Sequence, residues 1–117
     1  MKQIITLILL ISSFLVNAQS ISCEEATQYI IKNLPRLESQ ICFSSSMLTK
    51  VEYYKLNSEE TGYVVAYIKQ NDNDIFGKPY LFCGISLQRW QDFKFAGIIS
   101  WGEAFHKYII NYTCNCE

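Results

Sequence analysis

Neither a basic excess nor a long run of one charge appears in this chain, whose formal net charge is -1 at pH 7. A broad polyanion-binding surface normally carries a strong basic surplus, so nucleic acid is not the favoured partner. Internal repeats and low-complexity stretches are also missing. There is one histidine, His106, and any histidine-based acid–base pair has to be built around it. A zinc site from His106, Cys114 and Cys116 lacks a fourth ligand at familiar spacing, and oxidation competes for both thiols. No metal and no cofactor is expected.

An apolar run long enough to cross a membrane is lacking as well. The stretch from Ile4 to Val16 is interrupted by Ser12 and Ser13 and falls short of the roughly 20 residues a spanning helix needs. What it does carry is the pattern of a secretory leader, with Lys2 ahead of it and Val16 and Ala18 at its end. The pattern predicts residues 1–18 as a signal peptide cleaved after Ala18, a secreted or periplasmic protein, and no stable membrane span after cleavage. Lipid attachment through Cys23 is disfavoured, because "SIS" before it lacks the expected Leu and lies too far from the apolar run. The remainder suffices for one small domain that buries roughly two-thirds of its unfolded surface.

All five cysteines, Cys23, Cys42, Cys83, Cys114 and Cys116, follow the leader. In an oxidising compartment the default is disulfides, and an odd count leaves at least one thiol free or paired between chains. A bond between Cys114 and Cys116, one residue apart, would be strained. At least one of them is expected to tie the C-terminal tail to the body. The rest of the connectivity stays open.

Ser22 and Glu25 read as a capping box, starting a helix with Ala26, Tyr29, Ile30 and Leu34 at helical spacing and ending at Pro35. "MLTKVEYYKL" (47–56), "YVVAYIK" (63–69) and "PYLFCGI" (79–85) read as strands, separated by the turns "NSEETG" and "QNDND" with Gly77. Ser86 can cap a helix through about Gly97, with Leu87, Trp90 and Phe93 along one face. Ser100 and Glu103 form a second capping box, before Trp101, Phe105, Tyr108, Ile109 and Tyr112 at amphipathic spacing. The expected fold class is α+β: a three-stranded antiparallel meander with C-terminal helices packed on one face and an added N-terminal helix.

Several of these segments line up with a known family. "SSMLTKVEY" (45–53), "VAY" (65–67), "GKPYLFCGI" (77–85) and "WQDFKFAGIISWGEAFHKYIINY" (90–112) resemble, in order and spacing, the KTSC domain. That short module occurs alone in bacterial and phage proteins and at the C-terminus of some lysyl-tRNA synthetases. The resemblance implies a KTSC-like domain over residues 44–112, preceded by an N-terminal helical extension over 19–43 and followed by a cysteine-containing tail over 113–117. The chain departs from the family pattern in its longer loop at "QNDNDIF", its leader, its N-terminal helix and its cysteines. The association with a synthetase implies RNA binding for the family, which export of this chain opposes.

Candidate sites follow from the aromatic residues. Tyr80 and Phe82 alternate with Leu81, Cys83 and Ile85 in one strand, and Tyr63 and Tyr67 with Val64, Ala66 and Ile68 in the next. Rings on an open sheet can stack bases or sugars, but such rings are more often core. The expected working surface is a sheet face carrying Tyr63, Tyr67, Tyr80 and Phe82, or the helix pair around Trp90 and Trp101. Few cations, Lys55, Lys69 and Lys78, stand near enough to serve phosphates. Catalysis by His106 with Cys83 or a serine of "SSS" (44–46) is the competing reading, although no third orienting group is indicated. Asp72 and Asp74 lack the Gly and Glu that complete a calcium loop. Asn111-Tyr112-Thr113 is a glycosylation acceptor by pattern. The expectation is an exported, non-enzymatic binding module for an unidentified protein or small ligand.

Overall fold

The computed structural model describes residues 21–116; the leader and its cleavage site after Ala18 lie outside them. The chain runs α1 (Cys23–Asn33), β1 (Arg36–Ile41), β2 (Leu48–Tyr54), β3 (Thr61–Ile68), β4 (Lys78–Ser86), α2 (Leu87–Gly97) and α3 (Trp101–Tyr108). The strands form one antiparallel sheet in the order β1-β2-β3-β4. The class is α+β as expected, but the sheet has four strands rather than three. Strand β1 has no sequence signature because it is an edge: RLESQI buries no face, so nothing forces apolar alternation upon it.

Both faces of the sheet are covered. On the first, α2 and α3 pack over Leu48, Val51, Tyr53, Val64, Ala66, Phe82 and Ile85, with Trp90, Phe93 and Phe105 filling the layer. Trp90 stacks on Tyr53 with ring centroids 5.2 Å apart, and the Tyr53 hydroxyl donates to the Ile85 carbonyl at 2.8 Å. On the second face α1 lays Ile30, Ile31 and Leu34 against Tyr54, Tyr63, Val65, Tyr67 and Leu81. The Ser22–Glu25 capping box is formed, and the helix stops at Leu34 before Pro35. Thr27 rather than Tyr29 is its second buried residue, the Thr27 hydroxyl donating back to the Cys23 carbonyl.

The bulge in β4 corrects the expected facing of the side chains. Gly62 pairs with Ile85 and Val64 with Phe82, so β4 carries one residue more than β3 between the same two rungs. The extra turn is taken at Gly84, whose φ of 73° suits a residue without Cβ. Ile85 is thereby returned to the α2 side with Phe82, while Leu81 faces α1.

Both tail cysteines are bonded to the body: Cys83 to Cys114 and Cys23 to Cys116. Cys42 is the thiol left over, and it is buried. The tail adds to the open edge of β4, with the Cys83 amide donating to the Tyr112 carbonyl at 2.8 Å and a bridge between Phe82 and Thr113. Helix α3 ends at Tyr108, four residues before Tyr112, so that Tyr112 belongs to this tail. There Arg89 lies over the Tyr112 ring, 4.5 Å from its centroid, and donates to the Tyr108 carbonyl. Among the described residues no helix is long and apolar enough to cross a membrane.

Candidate functional site

The six rings singled out from the sequence do not form one surface. Trp90 is fully buried and Phe82 is 8% exposed, both within the α2–α3 core. Tyr80 and Phe82 lie on the α2–α3 side of the sheet, opposite Ala66 and Val64, whereas Tyr63 and Tyr67 lie under α1 on the other side. Tyr80 is the exposed member of the strand pair, with Lys78 over its ring. Trp101 is partly buried against Phe93. The alternating pattern of β4 was legible, but not which strand would supply the neighbours of each face.

A second set of residues, which the aromatic pattern did not point to, does come together. The β1–β2 connection, Phe43 to Ser46, faces the α2–α3 junction, Gly97 to Gly102, across a groove of about 530 Å³. It is lined by Ser44, Ser45, Ser46 and Ser100 together with Trp101 and by Phe43, Ile98 and Ile99, the last three strongly exposed, with Ile99 at 90%. The groove owes its form to local chemistry on both sides. Ser45 accepts from the Met47 and Leu48 amides through Oγ, closing the turn that starts β2. Ser44 sits at φ 63°, a conformation unfavourable for a residue with Cβ, so the loop holds strain beside the groove. On the facing side Ser100 caps α3, its Oγ accepting from the Glu103 amide. Gly97 lets the indole of Trp101 pack directly on the backbone, where any Cβ would collide with it.

A shallower hollow adjoins the groove, lined by Ser46, Met47, Ser100, Gly102, Glu103, His106 and Lys107. It places His106 of α3 and Ser46 of the "SSS" stretch on one hollow, and sequence had no means to align a helix and a loop so distant in the chain. His106 Nδ1 lies 3.0 Å from the Gly102 carbonyl, which can only accept, so the ring donates through Nδ1 and leaves Nε2 free. The expected alternative of a Cys83 nucleophile beside His106 is overturned, because Cys83 is bonded to Cys114. Cys42 offers no substitute nucleophile, because burial pushes its thiol up to about 12.

The other ionisable clusters are internally satisfied. Glu52 is only 2% exposed on the α1 side of β2, yet it accepts from Arg36 at 3.0 Å, Tyr54 at 2.8 Å, Ser39 at 3.3 Å and Tyr67 at 3.4 Å, with Lys50 at 3.4 Å. Burial opposes its charge, but the Tyr54 hydroxyl and the two cations outweigh burial and hold the carboxyl below its usual range. Desolvation and the neighbouring carboxylate push the Tyr54 and Tyr67 hydroxyls upward. Glu38 likewise lies below the usual range, held first by Lys94 and then by the Trp90 indole at 2.5 Å. Asp74 spends its carboxylate on the amides of Gln70, Phe76 and Gly77, organising the β3–β4 loop. Among the described residues no cluster of ligand side chains suits a metal ion.

Compared with known protein families, curated proteins and solved structures, the chain matches none.

Proposed function

We propose that this protein is an exported, non-enzymatic binding module of KTSC type, and that it works through the groove between residues 43–46 and 97–102. The observation that carries this reading is the pairing of exposed apolar side chains with fixed polar ones: Phe43, Ile98 and Ile99 line a groove together with Ser45 and Ser100, whose hydroxyls are held by local hydrogen bonds. Single exposed apolar residues are ordinary, whereas a contiguous exposed set beside a groove marks an interaction surface. The two disulfides fit an oxidising destination. The Ser-Ser of the first similar segment and the Ser-x-Gly of the last, at residues 45–46 and 100–102, line this groove.

The test is site-specific photo-crosslinking in an exporting host, with a benzophenone amino acid at position 43 or 99 and, for comparison, at position 37 or 87. Adducts concentrated at 43 and 99 are the expected result. Equal yields at all four positions would remove the groove from its assigned role.

A hydrolase reading has one observation in its favour, the shared hollow of Ser46 and His106 with the imidazole oriented through Gly102. It requires labelling of Ser46 by a fluorophosphonate probe that His106→Ala abolishes. The binding-module reading expects no labelling above that of Ser46→Ala.

A further inference from the structure

Six large hydrophobic residues among those described are three-quarters exposed or more: Phe43, Ile75, Phe76, Phe95, Ile98 and Ile99. The topology gathers them at one end of the molecule. Strand β1 finishes at Ile41, β2 begins at Leu48, β3 finishes at Ile68 and β4 begins at Lys78, and register places these four termini side by side. Phe43 belongs to the first connection at this end and Ile75–Phe76 to the second. The two connections are tied together, since the Lys69 ammonium donates to the Ser45 carbonyl and the Lys69 amide to the Met47 carbonyl, both at 2.8 Å. The Phe76 carbonyl also accepts from Thr49 at 2.8 Å. Helix α2 starts from the far end of β4 and returns, so that Ile98 and Ile99, which follow its last turn, reach the same end beside Phe43, with the exposed Phe95 one turn before them. The less exposed Leu37 and Leu87 sit at the opposite end, where β1 begins and β4 stops.

We propose that this end docks on a lipid bilayer, with the six side chains entering the interfacial region. The inference rests on the binding surface assigned above and names its partner. The apolar groups stand on three separate projections, a strand exit, a hairpin loop and a helix end. A fluid bilayer accepts such projecting side chains without a matching shape, which a protein partner would have to supply. The chain also enters the fold at this end. Glu24, one residue after the Cys23–Cys116 bond, lies 3.7 Å from Lys78 at the start of β4, and Ile21 just before it is exposed. The described residues thus begin on the side where the tips project, and the apolar stretch Ile4 to Val16 precedes them in the sequence. The acidic groups nearest the tips are in part already engaged, Asp74 with its own loop amides and Glu24 with Lys78.

The test is co-sedimentation of the chain from Gln19, which keeps every described element and both disulfides, with vesicles of phosphatidylcholine alone or with added phosphatidylglycerol. Binding to both compositions is expected. Ile98→Ser/Ile99→Ser and, separately, Ile75→Ser/Phe76→Ser should each lower the partition coefficient about tenfold or more, as loss of interfacial burial of two large side chains implies. Leu37→Ser/Leu87→Ser should leave it unchanged, and circular dichroism checks that each variant is folded. Absence of binding to either vesicle overturns the proposal, as does binding that needs anionic lipid, vanishes with salt and ignores the serine substitutions. If vesicles fail while photo-adducts at position 99 prove to be protein, the lipid partner is wrong and the binding surface stands; if position 99 gives no adduct of either kind, both fall.

Discussion

The Lys69 ammonium reaches across the end of the sheet to the Ser45 carbonyl, 2.8 Å away, and so fastens the end of β3 to the loop that lines the groove. Its own amide donates to Met47 at the same distance, so one residue holds that loop twice. Lys69→Met keeps the aliphatic stem and the amide bond but loses the charged donor, a contribution of about 1.5 to 3 kcal/mol. Hydrogen exchange at residues 43–47 is expected to accelerate while β2 and β3 stay protected. Unchanged exchange in that loop would show that Ser45 and its neighbours hold it without Lys69.

Acid should destabilise the protein through its two structural carboxylates. Glu52 and Glu38 both sit below the ordinary glutamate range in the folded chain, so the unfolded chain binds more protons in acid. Their contribution is complete above that range and is lost as pH falls through the lower folded values. Urea midpoints are therefore expected to fall between pH 5 and pH 3 in the wild-type protein, and to fall less in Glu52→Gln. Glu52→Ala leaves two tyrosine hydroxyls without their acceptor beside the solvent-reaching Arg36 and Lys50 and should cost about 1 to 3 kcal/mol at neutral pH.

The two disulfides close loops of different length, with sequence separations of 93 for Cys23–Cys116 and 31 for Cys83–Cys114. Chain entropy alone assigns them roughly 4.6 and roughly 3.7 kcal/mol. Reduction should lower the melting temperature sharply, and Cys23→Ser/Cys116→Ser should lower it at least as much as Cys83→Ser/Cys114→Ser. Cys42, buried and with a thiol raised to about 12, should resist iodoacetamide in the native oxidised protein and take one adduct after denaturation. Mass spectrometry reads both results.

Neighbouring rings on β4 should behave very differently. Phe82 packs edge-on against Phe105, centroids 5.3 Å apart, and Phe82→Ala is expected to cost about 3 to 5 kcal/mol. Tyr80 projects from the same side at the edge of the sheet, and Tyr80→Ala should stay within about 1 kcal/mol. Chemical denaturation of the two variants decides the point; equal losses would mean that Tyr80 is packed.

This contrast marks where sequence patterning stops. The caps at Ser22, Ser86 and Ser100 were legible because each satisfies its own helix end within three residues. Three strands were legible because a buried face imposes β-branched and aromatic residues upon them. Strand β1 was not, since its exposed side chains obey no such constraint, and the pairing that makes it a strand is with backbone of β2. The Gly84 bulge turned Ile85 from one face to the other, a step that alternation cannot reveal. The groove was missed for a related reason. Phe43, Ile98 and Ile99 stand outside any periodic stripe, and their one local signal is that an apolar residue beside "SSS" and a pair between Gly97 and Ser100 have no core position to fill.

Fractionation of the exporting host tests the assigned surface most directly, comparing the wild-type protein with Ile98→Ser/Ile99→Ser after matching their melting temperatures. The wild-type protein is expected to sediment with the envelope fraction and the double variant to be released into the soluble exported fraction, with about a tenfold lower ratio of bound to free. Retention of the variant at the wild-type level would contradict the account, because it would place the contact surface away from the end of the sheet where these two side chains project.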